Sequence, residues 1–177
     1  MSVSLADYDY QLPKEQIAYF PLKNRVDSKL MCLSPSQKKI GHGSFGQLGS
    51  YLKSGDILVL NNTKVIKARF EATKLSGGRL SILMLRPIQN TLDWWALVKP
   101  AKRLREGEIL CIEGNPELEV IEKAINGQVR LRALKSFNEL FEKKGIVPLP
   151  PYLNHSPKSA NQLSERYQSV FAEKPGA

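Results

Sequence analysis

The residues best suited to chemistry form a short run of amides, a hydroxyl and cations: Asn61, Asn62, Thr63, Lys64, Lys67 and Arg69. Amides and a hydroxyl can hydrogen-bond a ribose or a purine, and cations attract phosphate. Asn and Thr are also common turn formers, and spaced cations also occur on the solvated face of a strand. Both interpretations remain open for this run.

A second cationic cluster lies at residues 99–107, where the sequence reads KPAKRLREG a few residues after Trp94 and Trp95. Cations next to aromatic rings could hold phosphates and stack a base. The alternative is that one tryptophan faces a core while the cations lie on a solvated loop, and composition alone favours it. Tyr152 and Tyr167 could likewise stack on a base or cover the core.

Charge is concentrated in one part of this 177-residue chain, whose formal net charge is +9. Residues 64–105 contain ten Lys or Arg against Glu71 and Asp93, a local net charge of +8. A localised basic surface suggests a polyanion such as nucleic acid as the partner. The 42% hydrophobic content predicts a folded chain with one domain or two small ones.

The few cysteines and histidines argue against a metal site. Cys32 and Cys111 match no CxxC pattern, and His42 and His155 are the only histidines. No secretory leader or long apolar run is evident. We therefore expect a cytoplasmic protein with no metal and no membrane span.

The residues before position 61 predict alternating helices and a strand. Pro13 suits the start of a helix over 14–19, and Ser44 can cap a helix over 45–52. The apolar residues 57–60 predict a buried strand. This part is typical of an α/β domain.

From Val65 the apolar period changes to two, which is typical of strands with one wet face. Short strands separated by tight turns predict a meander that closes into a small barrel. The predicted strands are residues 65–73, 80–85, 93–99, 108–113, 118–125 and 128–134. Ser136 and Glu139 have capping-box spacing for a helix that ends at Gly145. Residues 145–153 form a proline-rich connector, and a last helix is predicted over 162–171.

Several stretches together resemble a known family: YDYQLPKEQIAYFP (8–21), GDILVLNNTKVIKARF (55–70), LVKPAKRL (97–104), VPLPPYL (147–153) and ERYQSVFAEKPGA (165–177). They are similar, in order, to the S-adenosylmethionine:tRNA ribosyltransferase-isomerases of queuosine biosynthesis. The resemblance implies transfer of the ribosyl part of S-adenosylmethionine to a 7-aminomethyl-7-deazaguanine in tRNA, with isomerisation to epoxyqueuosine. S-adenosylmethionine would be a co-substrate, and no cofactor is implied.

The resemblance also implies an α+β fold in which an α/β domain is interrupted by a small antiparallel β-barrel domain. The implied limits are 1–74 for the first part of the α/β domain, 75–135 for the barrel and 136–177 for the return. The α/β part is expected to be incomplete because the family's chains continue beyond Gly176-Ala177. We therefore expect these residues to be inactive alone and dependent on a complementary C-terminal chain.

Matching the family's motifs gives a set of expected tRNA- or substrate-binding residues: Asn62, Thr63, Arg69, Lys99, Lys102, Arg103, Tyr152, Tyr167 and Gln168. No catalytic residue is assigned. The chain departs from the family pattern at Lys64, Lys67, Ser81 and Leu163, and the last two replace carboxylates. The alternatives are a non-catalytic RNA-binding domain and a purely structural partner subunit.

Overall fold

The computed structural model describes residues 4–150 and 164–176. They fall into two compact units by their internal contacts. One unit holds residues 4–60 with 164–166, and the other holds residues 61–150 with 167–176. Residues 151–163, which include Tyr152, His155 and Leu163, lie outside the described residues.

The first unit is built around an antiparallel hairpin. Strand β1 (Lys29–Ser34) pairs with β2 (Lys39–Ser44), with Lys29 opposite Ser44 and Ser34 opposite Lys39. Four 3-10 helices accompany the hairpin: Leu5–Tyr8, Lys14–Gln16, Arg25–Asp27 and Phe45–Tyr51.

Both helices predicted before residue 61 are present only as short 3-10 helices. The first ends at Gln16 because Ile17 has extended backbone angles. The second begins at the predicted cap, where the Ser44 amide donates to Gln47 Oε1 at 2.9 Å in a capping box. Gly46 and Gly49 lie within that segment, and glycine disfavours a continuous α-helix.

The prediction of a buried strand at residues 57–60 is wrong for this structure. These residues form no strand, and Ile57 and Val59 are 91% and 89% exposed. An apolar run becomes a buried strand only when another strand pairs with it and another layer covers it. Among the described residues nothing pairs with this segment.

Arg166 joins the return segment to the first part of the chain within this unit. Its guanidinium donates to the carbonyl oxygens of Leu22 at 2.6 Å and Lys23 at 3.2 Å. Arg25 in turn donates to the Arg166 carbonyl oxygen at 3.0 Å. These contacts link positions more than 140 residues apart in sequence.

The second unit contains a closed six-stranded barrel. Its strands are β4 (Arg69–Lys74), β5 (Arg79–Pro87), β6 (Asp93–Lys99), β7 (Ile109–Ile112), β8 (Asn115–Lys123) and β9 (Gln128–Ala133). Their order around the barrel is β4-β5-β6-β9-β8-β7, and all of the pairings are antiparallel. The predicted closed antiparallel barrel is confirmed.

The alternating pattern places one apolar face of each strand inside the barrel. Phe70 and Ala72 of β4 are buried, whereas Glu71 and Thr73, which alternate with them, are exposed. The strand predicted to begin near Val65 begins at Arg69 instead. The predicted strand over 93–99 agrees with β6 at both ends.

Helix α1 (Phe137–Lys144) packs Phe137, Leu140 and Phe141 into the barrel core. It begins after Ser136 as predicted, but the Ser136 side chain makes no capping hydrogen bond. Lys144 Nζ donates to Glu117 Oε1 of β8 at 2.6 Å, which ties the end of the helix to the barrel.

Two short strands from opposite ends of this unit complete it. Strand β3 (Thr63–Lys64) pairs in parallel with β10 (Lys174–Pro175). The last predicted helix is shorter than expected, because helical residues among those described end at Tyr167 and Val170 is exposed. The barrel strands run from Arg69 to Ala133, and the domain limits given above stay a prediction.

Candidate functional site

An open cleft of about 1120 Å³ lies in the barrel unit between the β4–β5 turn and the loop after β6. The lining residues come from these two segments: Lys74, Ser76, Gly77, Gly78, Arg79 and Leu80, then Pro100, Lys102, Arg103, Arg105, Glu106, Gly107 and Glu108. Five cations therefore surround two carboxylates. The structure brings the expected residues Lys102 and Arg103 into this cleft.

The loop of residues 100–108 is held by side chains from neighbouring strands. Lys74 Nζ donates to the Arg103 carbonyl oxygen at 2.6 Å and lies 3.1 Å from both carboxylate oxygens of Glu108. The Arg105 amide donates to Glu108 Oε2 at 3.0 Å, and Lys123 Nζ donates to the Leu104 carbonyl oxygen at 3.1 Å. These bonds fix the backbone that carries the cations.

Glu108 is ionised at neutral pH. Burial, the largest single influence, raises the pKa of this carboxyl group, but hydrogen bonds from the Arg105 amide and Lys74 outweigh it, so the pKa is lowered overall. The carboxylate thus neutralises Lys74 at the cleft wall. The other cations of the cleft have no ion pair with any residue that the structure describes.

Lys99 lies at the end of β6 and is the third of three laterally paired residues on neighbouring strands. Ser81 of β5 is opposite both Lys99 and Glu71 of β4. Ser81 Oγ also donates to Glu71 Oε1 at 3.2 Å. The serine at this departure from the family pattern therefore donates a hydrogen bond to the neighbouring carboxylate and adds no second negative charge.

A second group of expected residues lies where β3 pairs with β10. The Asn62 carbonyl oxygen accepts from the amides of Glu173 and Lys174 at 2.8 and 3.1 Å. Thr63, in β3, donates its amide to Asn61 Oδ1 at 2.8 Å. These bonds use backbone groups, so the half-buried side chains of Asn62 and Thr63 keep their polar atoms for other partners.

The side-chain amide of Gln168 is hydrogen-bonded to the protein backbone on both of its polar atoms. Its Oε1 accepts from the Val65 amide at 2.9 Å, and its Nε2 donates to the Val65 carbonyl oxygen at 2.8 Å. Next to it, Tyr167 is 40% exposed. Arg69 begins β4, where its backbone exchanges two hydrogen bonds with Ile146 at 2.8 and 3.0 Å.

Trp94 serves the core. Its ring centroid lies 5.7 Å from that of Phe137 and 5.0 Å from that of Phe141, and Phe70 stacks on Phe141 from the barrel. The interpretation in which one tryptophan faces the core is therefore confirmed for Trp94. It cannot stack on a base while it is packed in this way.

The buried ion pairs of Asp93 with two arginines were not predicted from the sequence. Asp93 is fully buried and accepts from Arg132 Nε and Arg130 Nε, each at 2.7 Å. The hydrogen bond from Arg132 is the main cause of its lowered pKa, which burial opposes. The detectable signal was the alternation of Arg130 and Arg132 on a strand that pairs with the start of β6.

No group of three or more His, Cys, Asp and Glu side chains converges among the residues that the structure describes. Within the same part of the chain, no helix is long and apolar enough to cross a membrane.

The fold and the cleft define a small-barrel protein with a preformed cationic surface suited to a polyanion. Residues 5–177 match the family described as queuosine biosynthesis protein. The chain therefore belongs to that family.

Several relatives carry the name S-adenosylmethionine:tRNA ribosyltransferase-isomerase. The Fusobacterium nucleatum relative is 43% identical over 182 residues, covering 98% of this chain and 49% of the relative. The Syntrophomonas wolfei relative is 40% identical over 178 residues, with 98% and 49% covered. The Pelobacter propionicus relative is 37% identical over 174 residues, with 97% and 50% covered. The chain thus spans about half the length of these relatives.

A crystal structure of an S-adenosylmethionine tRNA ribosyltransferase from Thermotoga maritima is 30% identical to this chain. The match covers 90% of this chain and 54% of that one, with a TM-score of 0.40.

Proposed function

We propose that this chain takes part in the reaction for which its relatives are named. The ribosyl part of S-adenosylmethionine is transferred to the 7-aminomethyl group of a 7-deazaguanine in tRNA and isomerised, giving epoxyqueuosine and releasing adenine and methionine. The observation that carries the proposal is the family match over residues 5–177. The reaction takes place in the cytoplasm with S-adenosylmethionine as co-substrate and without a further cofactor or a membrane.

The proposed tRNA contacts are cations in and beside the cleft. Lys102 and Arg103 line the cleft, and Lys99 is exposed at the end of β6. These residues suit RNA phosphates, whose charge attracts Lys and Arg regardless of base sequence. Arg69 adds a cation at the start of β4.

The proposed contacts to the base or the ribose lie near β3 and β10. Asn62, Thr63 and Tyr167 keep side-chain polar groups that can donate or accept hydrogen bonds. Gln168 belongs to the same set, and its bonds to Val65 make it the residue that positions this segment. Tyr152 completes the set from outside the described residues.

The proposed set contains no evident base. Ribosyl transfer requires removal of a proton from the carbon beside the sulfonium, which a carboxylate or a histidine performs most readily. The proposed residues are cations, amides, hydroxyls and phenols. We therefore assign the proton transfer to groups outside this set, in the half of the relatives' length that this chain does not span.

The half of the relatives' length that this chain does not span would complete an α/β domain around the first unit. Ile57 and Val59 are almost fully exposed, and Leu58 and Leu60 are 53% and 47% exposed. Four consecutive uncovered apolar residues favour packing against another segment. The proposed partner is a segment equivalent to the C-terminal half of the relatives, which could be covalently continuous with these residues or be a separate chain.

An adenine-release assay tests this function. The purified chain is incubated with S-adenosylmethionine and precursor-containing tRNA, with and without the C-terminal half of the Fusobacterium nucleatum relative. We expect adenine release only in the mixture that contains both halves. Release by the 177-residue chain alone would show that the base lies within it. Absence of both release and tRNA binding in the mixture would overturn the function.

Charge reversal tests the tRNA contacts. We expect Lys102→Glu/Arg103→Glu to weaken tRNA binding about tenfold or more, because two phosphate contacts become repulsive. The matched control is Lys39→Glu/Lys53→Glu, which makes the same charge change at two exposed positions of the other unit. Equal affinity of the two double variants would remove Lys102 and Arg103 from the binding surface.

A non-catalytic RNA-binding protein is the second candidate. The cationic cleft favours it, because its lining has cations but no acid–base pair outside the Lys74–Glu108 ion pair. Salt-dependent tRNA binding without adenine release, even with the complementary half present, would support this function over the first.

A further inference from the structure

We propose that the cleft between the β4–β5 turn and loop 100–108 binds the sugar–phosphate backbone of an RNA strand without reading its bases. Arg79 and Arg105 join Lys102 and Arg103 as the contacting cations. The inference rests on the proposed function, because it names the part of the tRNA that this surface holds.

The backbone of the loop is ordered before any ligand binds. The buried side chain of Leu104 anchors it in the barrel core, and its carbonyl oxygen accepts from Lys123. The amide of Gly107 donates to the Val120 carbonyl oxygen at 2.7 Å. A loop fixed in this way loses little conformational entropy on binding.

The cationic side chains around the cleft differ from the loop backbone, because, Lys74 excepted, they form no side-chain hydrogen bond with a described residue. Arg79, Lys102 and Arg103 form no ion pair among the described residues, and Arg105 shares the charge of Glu108 with Lys74. Their charges lie around one cleft. Four cations held on a rigid frame, with Glu106 as the one further carboxylate of the lining, match the repeated charge of a nucleic acid backbone.

The remaining lining explains why bases are not read. The uncharged lining residues are three glycines, a serine, a proline and a leucine, with no aromatic side chain on which a base could stack. The cleft is also open along its length and does not enclose a ligand. A strand passing through an open cleft fits these features better than an enclosed nucleotide does.

The test compares Arg79→Glu/Arg105→Glu with Lys39→Glu/Lys53→Glu in the full 177-residue chain. Binding to tRNA and to a 20-base-pair RNA duplex is measured across a range of salt concentrations. Each lost phosphate contact reduces the slope of log affinity against log salt by about 0.7–0.9. We expect the cleft variant to lose about 1.5 in slope and about tenfold or more in affinity on both RNAs, and the control to lose much less.

The outcomes separate this inference from the proposed function. If the unchanged chain binds tRNA with salt dependence but the cleft variant equals the control, the cleft inference fails and the proposed function stands. If the unchanged chain binds no RNA, both fail. A loss confined to tRNA overturns backbone recognition. Displacement of tRNA by polyglutamate of matched charge at the same concentration shows that the cleft takes acidic protein chains instead.

All four mutated side chains are exposed, so thermal melting is expected to show intact folding.

Discussion

The side-chain amide of Gln168 forms both possible hydrogen bonds with the backbone of Val65, a residue 103 positions earlier in the chain. This pair of bonds fixes the segment after the return into the barrel unit against the segment that leads to β4. Residues 62–65 and 168–176 are therefore one structural element, although the whole barrel separates them in sequence.

We expect Gln168→Glu to destabilise the chain. A carboxylate can still accept from the Val65 amide, but its second oxygen faces the Val65 carbonyl oxygen, which loses its donor. The expected cost is about 1–2 kcal/mol in the free energy of unfolding, measured by urea denaturation. Glu173→Gln is the control, because Glu173 is exposed and, within the part of the chain that the structure describes, bonds only through its backbone amide. Unchanged stability with weakened tRNA binding would instead make Gln168 a substrate contact.

Gly145 is expected to tolerate no side chain. A Cβ at this position would overlap the Lys67 carbonyl oxygen and lie 2.6 Å from the Phe141 carbonyl oxygen. Gly145→Ala should therefore lower the free energy of unfolding by about 1–3 kcal/mol. Gly49→Ala is the matched control, since no heavy atom lies within 4 Å of its added Cβ. A melting temperature for Gly145→Ala equal to that of the control would contradict this close packing.

Asp93→Asn should remove an acid-dependent part of the stability. The pKa of Asp93 is lowered in the folded chain, chiefly by Arg132, so its contribution is present above the unfolded value of about 3.9. It is lost as pH falls through the folded pKa. We expect Asp93→Asn to cost about 2 kcal/mol at pH 7 and to flatten the stability profile below about pH 4.

The control for that experiment is Asp9→Asn, which changes an exposed carboxyl group in the other unit. Its stability should follow the unchanged chain at each pH. If Asp93→Asn loses stability on acidification as steeply as the unchanged chain, the two arginines do not stabilise an ionised Asp93.

Glu108→Ala should loosen the cleft loop without unfolding the barrel. The Arg105 amide loses the carboxylate that accepts its hydrogen bond, so hydrogen exchange at this amide should become about tenfold faster. Glu106→Ala is the control, because Glu106 Oε1 makes only a long contact of 3.4 Å with the Lys123 amide. Equal exchange of the Arg105 amide in both variants would show that Glu108 does not order the loop.

The barrel could be predicted because its strands follow local rules. Buried residues alternate with exposed ones in β4, and the β4–β5 turn contains Gly77 and Gly78 with φ of 87° and 94°, which favour glycine. The closure of β4 on β7 joins Thr73 with Cys111, and no local pattern in the sequence specifies that pairing.

Only part of the cleft lining could be predicted, because the rest comes together from separate segments of the chain. Lys102 and Arg103 are adjacent to each other, so their charge is visible as a cluster in the sequence. Arg79 reaches the same cleft from the start of β5, and Glu108 of loop 100–108 neutralises Lys74 of β4. The prediction of a buried strand at residues 57–60 failed because an apolar run is buried only where a second segment covers it.

The parallel pairing of β3 with β10 has a consequence for the order of folding. It closes a loop of about 110 residues, which is entropically costly for an open chain. Most barrel strands pair with their immediate neighbours along the chain, so the barrel can form first and shorten the distance that remains to be closed. We therefore expect the amides of Glu173, Lys174 and Gly176 to become protected last during refolding and to open most often in the native state, while the barrel stays closed.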